Sequence, residues 1–384
     1  MIDFAPDVQT TVETARCVRR EPFGAGPAGE PGEVVVLTNA GGVQLRFLPF
    51  GGTIVSLRVP DRNGDLADVV LGHDSAAAYA ADGRYFGALV GRYANRIRDG
   101  RFTLDGVTYQ LARNDGSNHL HGGGNGFHRA WWEVETFEGA TEVGAVLRLA
   151  SPDGDEGFPG AVDVRVTYTL TDDDALVVDY HATTDRATPL ALTQHAYFNL
   201  AGHDAGDILA HELTIRASRF TPVDRSLIPT GELRAVAGTP FDFTTPRPVG
   251  ARLAAADEQL RLAVGYDHNF VLDAPREGGQ EAPPPVASLA GAPFAARLHD
   301  PASGRVLELF TTEPGLQLYT SNTFDGRPPG KGGASYLAHA GIALEPQRFP
   351  DSPNQPHFPS AIVRPGTPYR SRSVYRFSVV GARA

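Results

Sequence analysis

The sequence predicts an all-β protein, a large antiparallel β-sandwich. Three observations carry this. Apolar and polar residues alternate with period two along many short segments, 43 glycines and 30 prolines fall mainly between those segments, and helical periodicity is weak. The clearest segment is 161–170. There Val162, Val164, Val166, Tyr168 and Leu170 share one side, and Asp163, Arg165, Thr167 and Thr169 the other, as a half-buried strand requires. Similar segments are expected at 33–37, 43–47, 143–149, 176–181, 213–217, 305–311, 316–320 and 372–379. Helix is expected only at 75–81 and 251–262, each a few turns. No fixed-period repeat occurs.

The 384 residues suit one large β domain or two ordinary ones. The loosest stretch, 274–293, is rich in Pro, Gly, Glu and Ala. Strand-like sequence of the same character resumes after it, so it is expected to be a surface loop within one domain. Residues 1–30 read as a lead-in, poorly ordered or an edge segment, and 31–384 as a single domain.

The formal net charge of −11 argues against nucleic acid or an anionic membrane as the main partner, because both reward a basic surface. A local arginine cluster for a phosphorylated substrate stays open. Cys17 is the only cysteine, so neither an intrachain disulfide nor a cysteine metal site is expected. The first 20 residues lack the apolar run of a secretory signal, and no stretch is apolar enough to span a membrane. The expected compartment is the cytoplasm.

Four segments place ionisable residues among Gly, Asn and aromatics where a plain strand would alternate. They are GRYANRI (91–97), NHLHGGGNGF (118–127), TQHAYFNL (193–200) and GIALEPQRFPD (341–351). Two lesser ones are YDHNF (266–270) and GLQLYTSN (315–322). His119 and His121, two apart, would point the same way on a strand. A cupin-type metal pair is excluded, because Arg113 and Asn125 or Gly126 stand where such a site places Gly and Glu. For the pair taken alone, one hydrogen-bonded core histidine and one exposed histidine is the plainer expectation. His195 ends an apolar run, where a satisfied buried histidine is equally plausible. Glu345 also ends an apolar run, and a carboxylate there must be paired, hydrogen-bonded or functional. Arg92 is expected to make ordinary surface ion pairs.

Taken together and in this order, with Trp131 following and NQPHFP at 354–359, these segments resemble the signature segments of the galactose mutarotase (aldose 1-epimerase) family. The resemblance runs from about Gly51 to the end of the chain. It implies a single-domain β-supersandwich, galactose mutarotase-like, and the interconversion of the α and β anomers of a free hexose such as galactose or glucose. It implies Glu345 as general base, His195 as general acid and His121 as the second active-site histidine. Asn95, Arg96, Asp267, Gln317 and Tyr197 would bind the sugar; His119 occupies a position the family does not require. No metal or redox cofactor is implied, and the chain would act as a monomer or homodimer.

The chemistry agrees with those groups. Ring opening removes the C1-hydroxyl proton and delivers one to the ring oxygen, and a carboxylate with a protonated imidazole supplies both. Three rivals remain at this point. A glycoside hydrolase could use Asp267 with Glu345 as its two carboxylates. A sugar-binding protein could have kept the fold without the chemistry. A hexose 6-phosphate epimerase would need a phosphate site, for which Arg58, Arg62 and Arg84 are the unplaced candidates.

Overall fold

In a computed structural model, which describes residues 15–274 and 291–381, nearly all regular structure is antiparallel strand arranged in three main sheets. The largest has nine strands. In spatial order they are Glu133–Glu138, Glu142–Ser151, Val162–Thr171, Ala175–Thr184, Tyr369–Val379, Arg305–Thr311, Phe294–His299, Glu212–Ile215 and Arg247–Pro248. The expected alternation at 161–170 is realised, with Val162, Val164, Val166, Tyr168 and Leu170 buried and Asp163 and Arg165 exposed. That inner face packs on a core running from Val35 to Phe377 in sequence.

The second sheet has six strands, Tyr197–Phe198, Ile342–Gln347, Gly315–Tyr319, Asp267–Leu272, Ala217–Phe220 and Arg234–Ala235. Its Leu316, Leu318, Ile342 and Leu344 join the same core. Period two then sends Asp267, Gln317 and Glu345 to the opposite face, where Asp267 and Glu345 line a cavity and Gln317 supports Asp267 from behind. Segment 213–217, expected as one strand, is two short ones. Glu212–Ile215 belongs to the nine-stranded sheet, and Ala217–Phe220, bulged against Asp267–Leu272, to the six-stranded one. Changing sheet after Ile215 is what breaks the strand.

A third, five-stranded sheet runs Cys17–Ala25, Pro31–Thr38, Gln44–Phe47, Ile54–Pro60 and Leu66–Asp68 in chain order. Its edge strand lies within the expected lead-in, so that part of residues 1–30 is an edge segment paired with Pro31–Thr38; residues 1–14 lie outside the described ones. Most of the expected 274–293 loop, residues 275–290, is also outside them. Both helices are short. Ala76–Ala81 is capped by Ser75 Oγ accepting from the Ala78 amide. The second expected helix shrinks to Glu258–Ala263, capped by Asp257 and ended by Val264 in the left-handed region; residues 249–252 form only a 3₁₀ turn. Among the described residues no helix is long and apolar enough to cross a membrane.

Candidate active site

A cavity of about 290 Å³ opens on the polar face of the six-stranded sheet. It gathers Asn95, Arg96, His121, His195, Tyr197, Asp267 and Glu345 from segments up to 250 residues apart. Strand register sets the acidic side. Gln317 lies opposite Glu345 on one neighbouring strand and Asn269 on the other, which puts Asp267 two residues along the same face. Gln317 Nε2 donates to Asp267 Oδ1 at 2.6 Å.

The basic side comes from two tight turns. Asn95 (φ 67°), His121 (φ 51°) and the neighbouring Tyr85 (φ 59°) all take the left-handed conformation, a costly one for residues with side chains. The conformation turns His121 away from the short strand His119–Leu120 and back onto Asn95. The His121 amide donates to the Asn95 carbonyl at 3.2 Å, and the Asn95 amide donates to His121 Nδ1 at 3.1 Å. With Nδ1 accepting, the neutral ring carries its proton on Nε2. Gly122 makes this turn possible, since a Cβ there would sit 1.8 Å from the Gly91 carbonyl oxygen.

Arg96 Nε donates to Asp115 Oδ2 at 2.7 Å, and its Nη1 lies 3.7 Å from Asp267 Oδ2. Burial works against the Arg96 charge, but Asp267 and Asp115 outweigh it and hold the guanidinium above its usual value. Burial raises Asp267, opposed by Arg96 and by the Gln317 hydrogen bond.

At the centre His195 Nε2 stands 3.5 Å from Glu345 Oε2, and both residues are buried. Burial pushes Glu345 well above the usual carboxylate range, with Asp267 adding to the shift and Arg96 opposing it. Burial lowers His195 to about 4. Burial, then the charges of His195 and Arg96, holds His121 well below the usual value. Glu345 Oε2 has no hydrogen-bond partner although it is shielded from solvent. A buried carboxylate oxygen left in that state is a place for a ligand hydroxyl.

His121, His195 and Glu345 also offer ligand atoms within 4.8 Å of one another, the one group of three among the described residues that could hold a metal ion. Their donor set fits a divalent cation such as zinc, with Nε2 as the free nitrogen of His121.

Two expectations from the sequence fail. Arg92 is not a surface residue: it is 2% exposed, and its guanidinium donates to the carbonyls of Ser151, Pro152, Pro159 and Gly160 and to Ser151 Oγ. Nor do His119 and His121 point the same way. His119 is fully buried away from the cavity, with Nδ1 2.8 Å from the Ala112 carbonyl and its ring edge-on to Phe158, while His121, also buried, faces the cavity. Tyr85 was missed. Its ring lies 4.6 Å from that of His121 and 6.0 Å from that of His195, and nothing in the local pattern signals it. Tyr197 packs its ring 4.9 Å from His195. Of the candidate phosphate arginines, Arg84 reaches the cavity but is bound to Asp82, whereas Arg62 bonds the carbonyls of Pro301 and Ser303.

The family profile described as aldose 1-epimerase matches residues 33–376. The chain belongs to the aldose 1-epimerase family. It is an isomerase of that class. The chain is 44% identical to galactose mutarotase from Bos taurus and 42% identical to that from Homo sapiens, in each case over 94% of this chain and 99% of the relative. Aldose 1-epimerase from Escherichia coli is 37% identical, over 91% and 96%. Among solved structures, galactose 1-epimerase from Lactobacillus acidophilus superposes with a TM-score of 0.80 at 25% identity, covering 95% of this chain and 99% of that one. The aldose epimerase homologue from C. elegans gives 0.78 at 31%, covering 96% and 100%. The all-β sandwich expected from the sequence is therefore the fold of this family.

Proposed function

We propose that the chain interconverts the anomers of a free aldohexose such as galactose or glucose, with Glu345 as general base and His195 as general acid. The observation that carries this is the pair itself, a buried carboxylate and imidazole 3.5 Å apart in a cavity of monosaccharide size. Glu345 takes the C1-hydroxyl proton while His195 Nε2 delivers a proton to the ring oxygen. The C1–O5 bond breaks, the aldehyde rotates, and the same two groups exchange roles as the ring closes on the other face. His121 Nε2–H and Arg96 donate to oxygens on which charge develops. Asp267, Gln317 and Asn95 hold hydroxyls, and Tyr197 backs the His195 ring.

Protons alone are moved, so the sequence of steps balances without metal or redox cofactor. The net charge of −11 supports a reading without nucleic acid or membrane partners, and the lone Cys17 suits a reducing cytoplasm. The continuous core from Val35 to Phe377 supports 31–384 as one domain. We take that domain to act as a monomer or homodimer.

Polarimetry on freshly dissolved α-D-galactose and α-D-glucose tests the reading. Equilibration no faster than the buffer blank would replace it with a sugar-binding protein, and release of reducing ends from a glycoside would replace it with a hydrolase.

A further inference from the structure

A larger cavity, of about 530 Å³, lies on the solvent face of the nine-stranded sheet and shares no residue with the sugar cavity. Strand register places one residue from each of five neighbouring strands in a single cross-strand row: Glu133, Arg148, Arg165, His181 and Arg370. Their sequence neighbours Leu147, Val164, Val166, Tyr180 and Ala182 point into the core, so these side chains are turned outward. Arg148, Arg165 and Arg370 are exposed and His181 is half-buried.

Four cationic or potentially cationic side chains thus stand directly opposite one another, about 5 Å apart at each step. Like charges in that relation destabilise a sheet. Neighbouring acids do little to relieve it. Arg148 Nη2 lies 3.9 Å from Glu135, with both side chains mostly exposed, and among the described residues no carboxylate lies within ion-pair distance of Arg165, His181 or Arg370. Burial, and then the charges of Arg165 and Arg370, holds His181 below the usual histidine value, which records the crowding of charge. The row stands in a chain whose net charge is −11, so the clustering runs against the composition.

Trp131 borders the same cavity. It is 53% exposed, and its ring is braced at 60° against Phe50, with centroids 5.4 Å apart. A fixed indole face presented to water suits the C–H face of a sugar ring. Glu133 and Asp163, also on the cavity, are placed to accept from hydroxyls. The two carboxylates also disfavour a long polyanion, which would have to run across them.

We propose that this face binds a phosphorylated sugar, with the phosphate on Arg148, Arg165 and His181 and the sugar ring against Trp131. A phosphate ester carries close to two negative charges and three acceptor oxygens, and guanidinium groups match that geometry with paired N–H donors. The site is separate from the cavity of the isomerase reaction and does not depend on the roles given to Glu345 and His195.

The test is titration calorimetry with glucose 6-phosphate, free glucose and inorganic phosphate, on the intact chain and on R148S, R165S and W131A. Circular dichroism confirms that each variant is folded, and polarimetry on free galactose confirms unchanged mutarotation. Glucose 6-phosphate is expected to bind saturably and at least about tenfold more tightly than inorganic phosphate, with R148S and R165S each weakening it by about tenfold or more. W131A is expected to erase the preference for the sugar phosphate over inorganic phosphate. The proposal fails if there is no saturable binding, or if R148S and R165S leave binding unchanged, which would put the ligand in the sugar cavity. It also fails if inorganic phosphate binds as tightly as the sugar phosphate, or if a short RNA outcompetes it.

Discussion

Arg92 and Arg96 are four residues apart on one segment, both withdrawn from solvent, and they end in opposite surroundings. Arg92 enters a nest of four backbone carbonyls and a serine hydroxyl, with no carboxylate in hydrogen-bonding contact and little room for anything else. Burial lowers its guanidinium to about 10. Arg96 lies between two carboxylates on the wall of a cavity in which Glu345 Oε2 has no hydrogen-bond partner. The difference separates two uses of a buried charge. Where every polar atom is satisfied the charge joins chain segments together; where some are left open, it waits for a ligand.

Substitutions can break that comparison at several points. The largest effects belong to the open site. Glu345→Gln and His195→Asn should each lose roughly 10²–10⁴-fold in kcat/KM by polarimetry while keeping the wild-type thermal transition. Near-wild-type mutarotation in either would end the assignment of roles. Arg92→Met should do the reverse, costing on the order of 3 kcal/mol of stability in denaturant titration, because the carbonyls it bonds would lie buried and unpaired. The soluble, folded fraction of that variant should keep its KM. A variant as stable as wild type would show that solvent reaches the nest.

The pH profile sharpens the same contrast. On the proposed roles, the Glu345 and His195 pair works while it holds one proton between its two members, so both limbs belong to the pair. Because burial lowers His195 to about 4 and raises Glu345, activity should fall on the acid side only as pH drops toward about 4, when the second proton binds. On the basic side it should fall as pH passes the raised value of Glu345 and the last proton leaves. An acid limb near 6.5, the ordinary histidine value, would contradict the burial argument.

Metal removal is expected to have no effect. Although His121, His195 and Glu345 are close enough to hold an ion, exhaustive dialysis against a chelator should leave the rate unchanged. A loss restored by added zinc would replace proton transfer with metal assistance. The smallest effect should come from His119→Phe, a change of similar volume away from the cavity that gives up the Nδ1 contact with the Ala112 carbonyl but also removes the buried, unpartnered Nε2, with stability within about 1.5 kcal/mol of wild type and activity unaltered.

The sequence carried the fold further than it carried the site's surroundings. Long hairpins such as 143–149 with 161–170 declare themselves because half of each strand faces water, and period two is therefore written in residue type. The strands near the cavity are buried on both faces. Ile342–Gln347 shows no exposed residue at all, so only Glu345, as an exception at the end of an apolar run, marked its second face. Glu345 and His195 were legible as segments in a familiar order; neither spacing nor periodicity would have brought them together. Arg92 was misread because a guanidinium satisfied by carbonyls leaves no acidic partner in the sequence to announce it. His121 was misread as parallel to His119 because a histidine in the left-handed region is uncommon. Tyr85 escaped for the same reason.

The place of Tyr369–Val379 has a consequence for how such a chain is made. This strand is not at an edge: it lies between Ala175–Thr184 and Arg305–Thr311, joining two halves of the nine-stranded sheet. Until it has emerged from the ribosome, the halves expose the strand edges it will cover, and Glu345 has only just been supplied to histidines made 150 residues and more before. The proposed catalytic pair is thus completed only when Glu345 has been made, 150 residues after His195. A nascent chain has to hold those edges open until residue 379 has been made, which makes premature termination or a pause before residue 369 an invitation to edge-to-edge association.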